Sequence, residues 1–282
     1  MEIQWLLGKL VFSTLWLFNY FHILSIHNAI QNPEGLFRFY SFDLIFGNSL
    51  GKITLTIVLS ISILLYLFEK WMPVCTFLLS AISILCISYQ DSMGIFLRNT
   101  HFAGIFSAQF IAYMLAYVLP GFKIKENRYL YTLQIIASIY FLSAIAKIED
   151  SGLGWFLNSD NFLLQIYKNH FFLYANDLLN QHLDFALSLV QFFSRFDFLL
   201  KALLGSALLL EFFAFLMLIS KPLRYIIAIG LVLMHVGIAV FMGIGISNIA
   251  GSLIAWILNP LFLIYILIQQ RNSSISHLVP SK

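Results

Sequence analysis

Residues 200–243 read LKALLGSALLLEFFAFLMLISKPLRYIIAIGLVLMHVGIAVFMG. Two long apolar runs flank a short basic joint, Lys221-Pro222-Leu223-Arg224. A helix that crosses a bilayer needs roughly 20 mostly apolar residues. The stretch therefore reads as two spans folded back on one tight turn. Each run carries one ionisable residue near its middle, Glu211 in the first and His235 in the second.

The rest of the chain repeats this pattern. Apolar runs at 6–26, 50–68, 71–89, 101–120, 129–148, 200–219, 223–243 and 249–269 predict about eight transmembrane helices in an all-α, polytopic membrane bundle. Breaks fall at Glu69-Lys70, at Pro120-Gly121-Phe122-Lys123 and at Lys221–Arg224. Composition agrees. Of 282 residues, 60% are hydrophobic and 10% charged, against about 25% charged in ordinary soluble domains. The opening apolar stretch is too long for a secretory leader and lacks a small-residue cleavage site, so it reads as the first span. Residues 1–270 form one transmembrane domain on this reading, and 271–282 a disordered tail.

Charge placement orients the spans. With eight spans both termini share a side, and that side carries a net charge of six positive, including Lys9, Lys70, Lys123, Lys125 and Arg128. The other side is net negative by two. Basic residues in short loops mark the cytoplasmic face. Both termini are thus expected in the cytoplasm, in a bacterial inner membrane, with loops 27–49 and 149–199 outside. The 149–199 loop repeats apolar residues at helical spacing, which predicts interfacial helices over the outer end of the bundle. No basic cluster points to nucleic acid. Cys75 and Cys86 are eleven residues apart, about 16 Å along one helix. That is beyond the roughly 7 Å reach of a disulfide, so both read as small core residues. No Cys/His cluster points to a metal.

Ionisable residues within spans are costly and usually face a cavity or a partner. Glu211 and His235 lie at similar depth on consecutive antiparallel spans and are expected to pair, or to brace neighbouring helices singly. Lys147, near the outer end of the fifth span in YFLSAIAKIEDSGLGW (140–155), either snorkels to the headgroups or lies in an apolar pocket as an amine base. His101 opens the fourth span on the same outer side. Polar Asn19, His22, Gln109 and Gln134 read as glue between helices.

Several of these stretches resemble one family. Tyr140-Phe-Leu-Ser-Ala-Ile-Ala-Lys147-Ile-Glu149 with Gly154-Trp155 downstream, Asn99-Thr100-His101-Phe102, and the late series Glu211, Arg224, His235, Met242-Gly243 are similar to the HTTM group, the horizontally transferred transmembrane domain. So is Asn32-Pro-Glu-Gly-Leu-Phe37 after the first span. That group includes the membrane part of vitamin K-dependent gamma-glutamyl carboxylase and a bacterial membrane factor for peptide-toxin maturation. The resemblance implies a reduced quinone, of the vitamin K or menaquinol type, as cofactor. It implies Lys147 as base, His101 as stabiliser of the developing charge, and a pocket with Asn99, Tyr140, Trp155, Glu211 and His235. This chain has Ala146-Lys147 where the carboxylase has a lysine doublet, and it is expected to stop after the eighth span, whereas the carboxylase has a large extramembrane domain as well. The implied substrate is accordingly a small molecule or a short peptide. Two other readings stand beside it. One is a non-catalytic membrane partner, bound to a peptide or sister membrane protein, in peptide maturation, export or immunity. The other is a proton-linked carrier using Glu211 and His235.

Overall fold

A computed structural model describes residues 2–26, 45–92, 100–243 and 248–276. Among them there is no strand. The helices are α1 (Glu2–Ile26), α2 (Ser49–Leu67), α3 (Met72–Ser92), α4 (Thr100–Val118), α5 (Ile124–Ser151), α6 (Ser159–Asp177), α7 (Gln181–Arg195), α8 (Asp197–Phe212), α9 (Lys221–Met242), α10 (Asn248–Leu253) and α11 (Pro260–Ser276). A 3₁₀ turn spans Trp155–Leu157. A second 3₁₀ stretch, Phe213–Leu218, prolongs α8, and a π-helical one, Ile254–Leu258, prolongs α10.

The chain is an all-α, polytopic helix bundle, with helices compatible with a multi-pass membrane protein. Seven helical segments among the described residues are long and apolar enough to cross a membrane. Seven of the eight expected spans correspond to them; α1 is the exception. It has the length, at 25 residues, but Glu2, Gln4, Lys9, Asn19 and His22 dilute its apolar character. Helix α11 runs on to Ser276, six residues into the tail expected to be disordered. Most of loop 27–49 lies outside the described residues.

The chain divides into two compact units, Met1–Ile136 with Gly251–Lys282, and Ala137–Ala250. In the first, α1 buries Trp5, Lys9, Phe12, Trp16, Tyr20 and Ile23. Steps of three and four put these on one helical face. Leu6, Leu10 and Phe18 on the same helix are exposed, so α1 is apolar well beyond its buried face. Phe12 meets Phe102 at 5.0 Å and Phe106 at 5.2 Å between ring centroids.

Lys9 is wholly buried. Its Nζ donates to the carbonyls of Tyr66 at 3.0 Å and Leu67 at 3.2 Å, and to Glu69 Oε1 at 3.0 Å. Carbonyls at a helix C-terminus lack partners within the helix and carry partial negative charge, so Lys9 closes the end of α2. Arg128 completes the cluster. It lies 3.3 Å from Glu69 and 3.5 Å from Glu2, donates to Tyr113 Oη at 2.9 Å, and stacks 4.4 Å from the Trp5 ring. Burial pushes the Glu69 carboxyl up, but the Lys9 ammonium and Arg128 guanidinium outweigh it and hold it below the usual carboxylate range. Gln109 is interhelical glue, as its sequence position predicts. It accepts from Tyr66 Oη at 2.8 Å and donates to Thr132 Oγ1 at 3.1 Å. Both cysteines are buried and free.

In the second unit α6 and α7 pack as a hairpin and α6 also lies against α9. Loop 149–199 is therefore mostly helix, as its periodicity predicts. The core of this unit gathers Ile166, Phe193, Leu200, Leu204 and Met242. Ser220 caps α9 with Pro222 in its first turn, an arrangement suited to a helix start because proline's missing donor is not needed there. Gly243 ends α9 with φ +63°. A Cβ there would lie 2.9 Å from Leu173 and 3.1 Å from His170, so glycine serves both the backbone and the close approach of α6.

Candidate functional site

Helix α5 presents Tyr140, Ser143 and Lys147 at steps of three and four, one line along the helix. Each meets a polar group from a later helix. Tyr140 Oη and His235 Nε2 are 2.9 Å apart. Ser143 Oγ donates to Glu211 Oε2 at 3.5 Å. Lys147 Nζ forms an ion pair and hydrogen bond with the same Glu211 oxygen. Glu211 is 5% exposed, a depth at which a carboxylate needs a partner. It sits one residue before the end of α8, where the helix tightens into its 3₁₀ extension. Of the two arrangements the sequence allows, a direct Glu211–His235 pair or separate braces to a neighbouring helix, these contacts to α5 are the second.

The Lys147 ammonium also lies 4.9 Å from the centroid of the Trp155 ring. An indole face attracts a cation through its ring quadrupole. Trp155 enters from the 3₁₀ turn after α5, which Gly152 makes possible with φ +72°. Lysine is thus held between an acid and an indole, and its side chain is 27% exposed.

These groups border a cavity of about 620 Å³. Lys147, Trp155, Ser206 and Glu211 form its polar wall. Apolar side chains line the rest, among them Phe162, Phe193, Leu204, Met234 and Phe241. Helix α9 turns Gly230, Met234, Gly237 and Phe241 toward it at helical spacing. Leu210 packs where a Cβ on Gly230 would stand, 2.9 Å away. A larger recess of about 790 Å³ lies along α8. Its wall is apolar apart from Ser206 and Lys201, the latter paired with Asp197 at 2.5 Å. The smaller cavity is the candidate site because it holds the charged pair.

His101 belongs to the first unit, where it is 3% exposed and its ring centroid lies 4.2 Å from that of Phe102. Its Nε2 has no hydrogen-bond partner. The 620 Å³ cavity takes its whole lining from Ala137–Ala250. Asn99 lies outside the described residues. Tyr140, Trp155, Glu211 and His235 come together with Lys147 in the second unit. Ser143 is the member that sequence reasoning missed. Its signal was its position, three residues after Tyr140 and four before Lys147. Among the described residues no three His, Cys, Asp or Glu side chains cluster as metal ligands would.

No protein-family model matches the chain, and no curated protein or solved structure is found to match it.

Proposed function

We propose that the chain is a membrane protein of the HTTM kind that takes a reduced quinone, of the vitamin K or menaquinol type, into the cavity beside Lys147. One observation carries this reading: an apolar cavity of about 620 Å³ has a lysine–carboxylate pair in its wall. Pockets for small ligands run from about 300 to 1,000 Å³, mostly apolar with a few placed polar groups. The residues fit such a ligand. Trp155, Phe162, Phe193 and Phe241 offer aromatic surface, Leu200, Leu204 and Leu233 offer aliphatic surface for a prenyl tail, and Lys147 and Glu211 offer hydrogen bonds. When bound, the quinol supplies a dissociable hydroxyl and reducing power toward oxygen.

The chain's own groups then have defined tasks. The family resemblance makes Lys147 the base, a task that needs the lone pair of Nζ. Glu211 fixes the position of that nitrogen, and Ser143 supports Glu211. Trp155 covers Nζ on one side. The stabilising role for His101 comes from the family resemblance alone, since His101 lies in the first unit and does not line this cavity. The substrate on this reading is a small molecule or a short peptide. The termini lie in the cytoplasm of a bacterial cell with the protein in the inner membrane. Photoaffinity labelling with a diazirine-bearing menaquinone in nanodiscs tests the placement. Label on residues 200–241 that excess menaquinone competes away supports it; label spread evenly over lipid-facing helices contradicts it.

A second reading is favoured by the line Tyr140, Ser143, Lys147 on α5, which sets polar groups against Glu211 of α8 and His235 of α9. That arrangement suits a proton-linked carrier. In liposomes with an internal pH dye, solute-driven proton movement lost in both Glu211→Gln and His235→Gln would favour it over the quinol reading.

A further inference from the structure

A second, smaller cavity of about 280 Å³ adjoins the candidate site. Ser151, Asn158, Asn161 and Gln165 supply its polar lining. Its remaining wall is Trp155, Phe162, Leu204 and Met242, and all four also line the larger cavity. The two spaces are thus neighbours across one apolar partition. Their chemistry is opposite. The larger is apolar with an ion pair; the smaller is polar with no ionisable side chain.

The polar groups are also ordered. Asn158, Asn161, Gln165 and Asn169 follow at steps of three, four and four, one face of α6 and the residue before it. Gln165 Nε2 donates to Asn169 Oδ1 at 2.8 Å; Asn169, whose own amide nitrogen is buried without a partner, lies beyond the cavity lining. Carboxamides donate and accept at once, so such a row exchanges hydrogen bonds with amides or hydroxyls. The four polar side chains of the lining are exposed and none is ionisable, so a charged ligand would find no counter-charge among them. Trp155 stands at the boundary with Lys147 against its ring, on a turn entered through Gly152.

We propose that this cavity binds an uncharged, hydrogen-bonding ligand, amide or hydroxyl in kind, and that Trp155 is the partition between that ligand and Lys147. The inference rests on the quinol reading only in making this ligand the second reactant; the binding itself stands apart from it. The test is ¹⁹F NMR of the full chain in nanodiscs with 5-fluorotryptophan at its five tryptophans, the Trp155 signal being the one lost in Trp155→Phe. The probes are N-acetylglycinamide, its carboxylate counterpart N-acetylglycine, and glycerol. N-acetylglycinamide or glycerol is expected to shift the Trp155 signal saturably, and N-acetylglycine about tenfold more weakly or not at all. A response to the amide alone assigns peptide-like ligands, and one to glycerol alone assigns hydroxyl ligands. The double variant Asn161→Leu/Gln165→Leu should lose the response while its other tryptophan signals stay in place; where they move, Asn161→Ser/Gln165→Ser replaces it. No saturable shift, an equal response to the carboxylate, or an unchanged response in the double variant overturns the proposal. Menaquinone added to the same sample reads the larger cavity. Its failure to move Trp155 would count against the quinol reading and leave the amide site standing.

Discussion

Lys147 on α5 is bonded to Glu211 at the end of α8, 64 residues later in the chain, and the indole of Trp155 faces the same ammonium. The acid is buried and the base reaches the cavity. One contact therefore joins helix packing to the proposed chemistry, and the two can be separated by mutation.

Breaking this pair should destabilise the protein more than removing it. Lys147→Met leaves a buried carboxylate without its cation, at a cost of about 2–4 kcal/mol, somewhat below a fully buried pair because lysine retains solvent contact. The double variant Lys147→Met/Glu211→Leu should be more stable than the single one. Thermal unfolding in a fixed detergent or nanodisc decides this; a double variant less stable than Lys147→Met would contradict it.

The Lys9 clamp is the corresponding device in the other unit. Lys9→Met removes three hydrogen bonds and uncaps the end of α2, at a cost of roughly 2–4 kcal/mol. Lys9→Arg should recover little of this, because a forked head cannot take the place of a compact ammonium at full burial. A Lys9→Met protein with wild-type melting behaviour would show that the clamp contributes nothing.

Glu69 gives that clamp a pH dependence. Its folded pKa lies below its unfolded value, which is about 4.3. The group therefore contributes stability that is fully present above the unfolded pKa and lost as pH falls through the folded one. Melting temperature should fall on acidification below about pH 4–5, and Glu69→Gln should flatten that fall. A slope unchanged in Glu69→Gln would assign the acid sensitivity to other carboxylates.

Tyr140 and His235 should behave as a coupled pair. A double-mutant cycle with Tyr140→Phe and His235→Phe should give a coupling of about 0.5–1.5 kcal/mol. Additive effects within error would mean that the 2.9 Å contact carries no net energy.

Much of this fold could be read before any coordinates. The apolar runs located seven helices long and apolar enough to cross a membrane, and the helical spacing in 149–199 located α6 and α7, because both rest on local periodicity. Depth arguments brought Glu211 and His235 to one level but left open whether they pair or each brace another helix. Depth says nothing of how a helix is rotated about its axis. The line Tyr140, Ser143, Lys147 on α5 faces both residues and gives each its own partner. The Lys9 clamp was hidden for a related reason. Its partners lie 57 to 60 residues away, and nothing in a local window separates a lysine that caps another helix from one that reaches for headgroups.

The most direct test of the quinol reading is epoxide formation from menaquinol and oxygen by purified protein in nanodiscs, with wild type beside Lys147→Ala and Glu211→Gln. Wild type is predicted to form the epoxide, and Lys147→Ala to lose it by about 100-fold or more. Unchanged size-exclusion elution and far-ultraviolet circular dichroism of that variant would show that its fold is intact. Epoxide formed equally well without Lys147, or none from folded wild type, would contradict the reading.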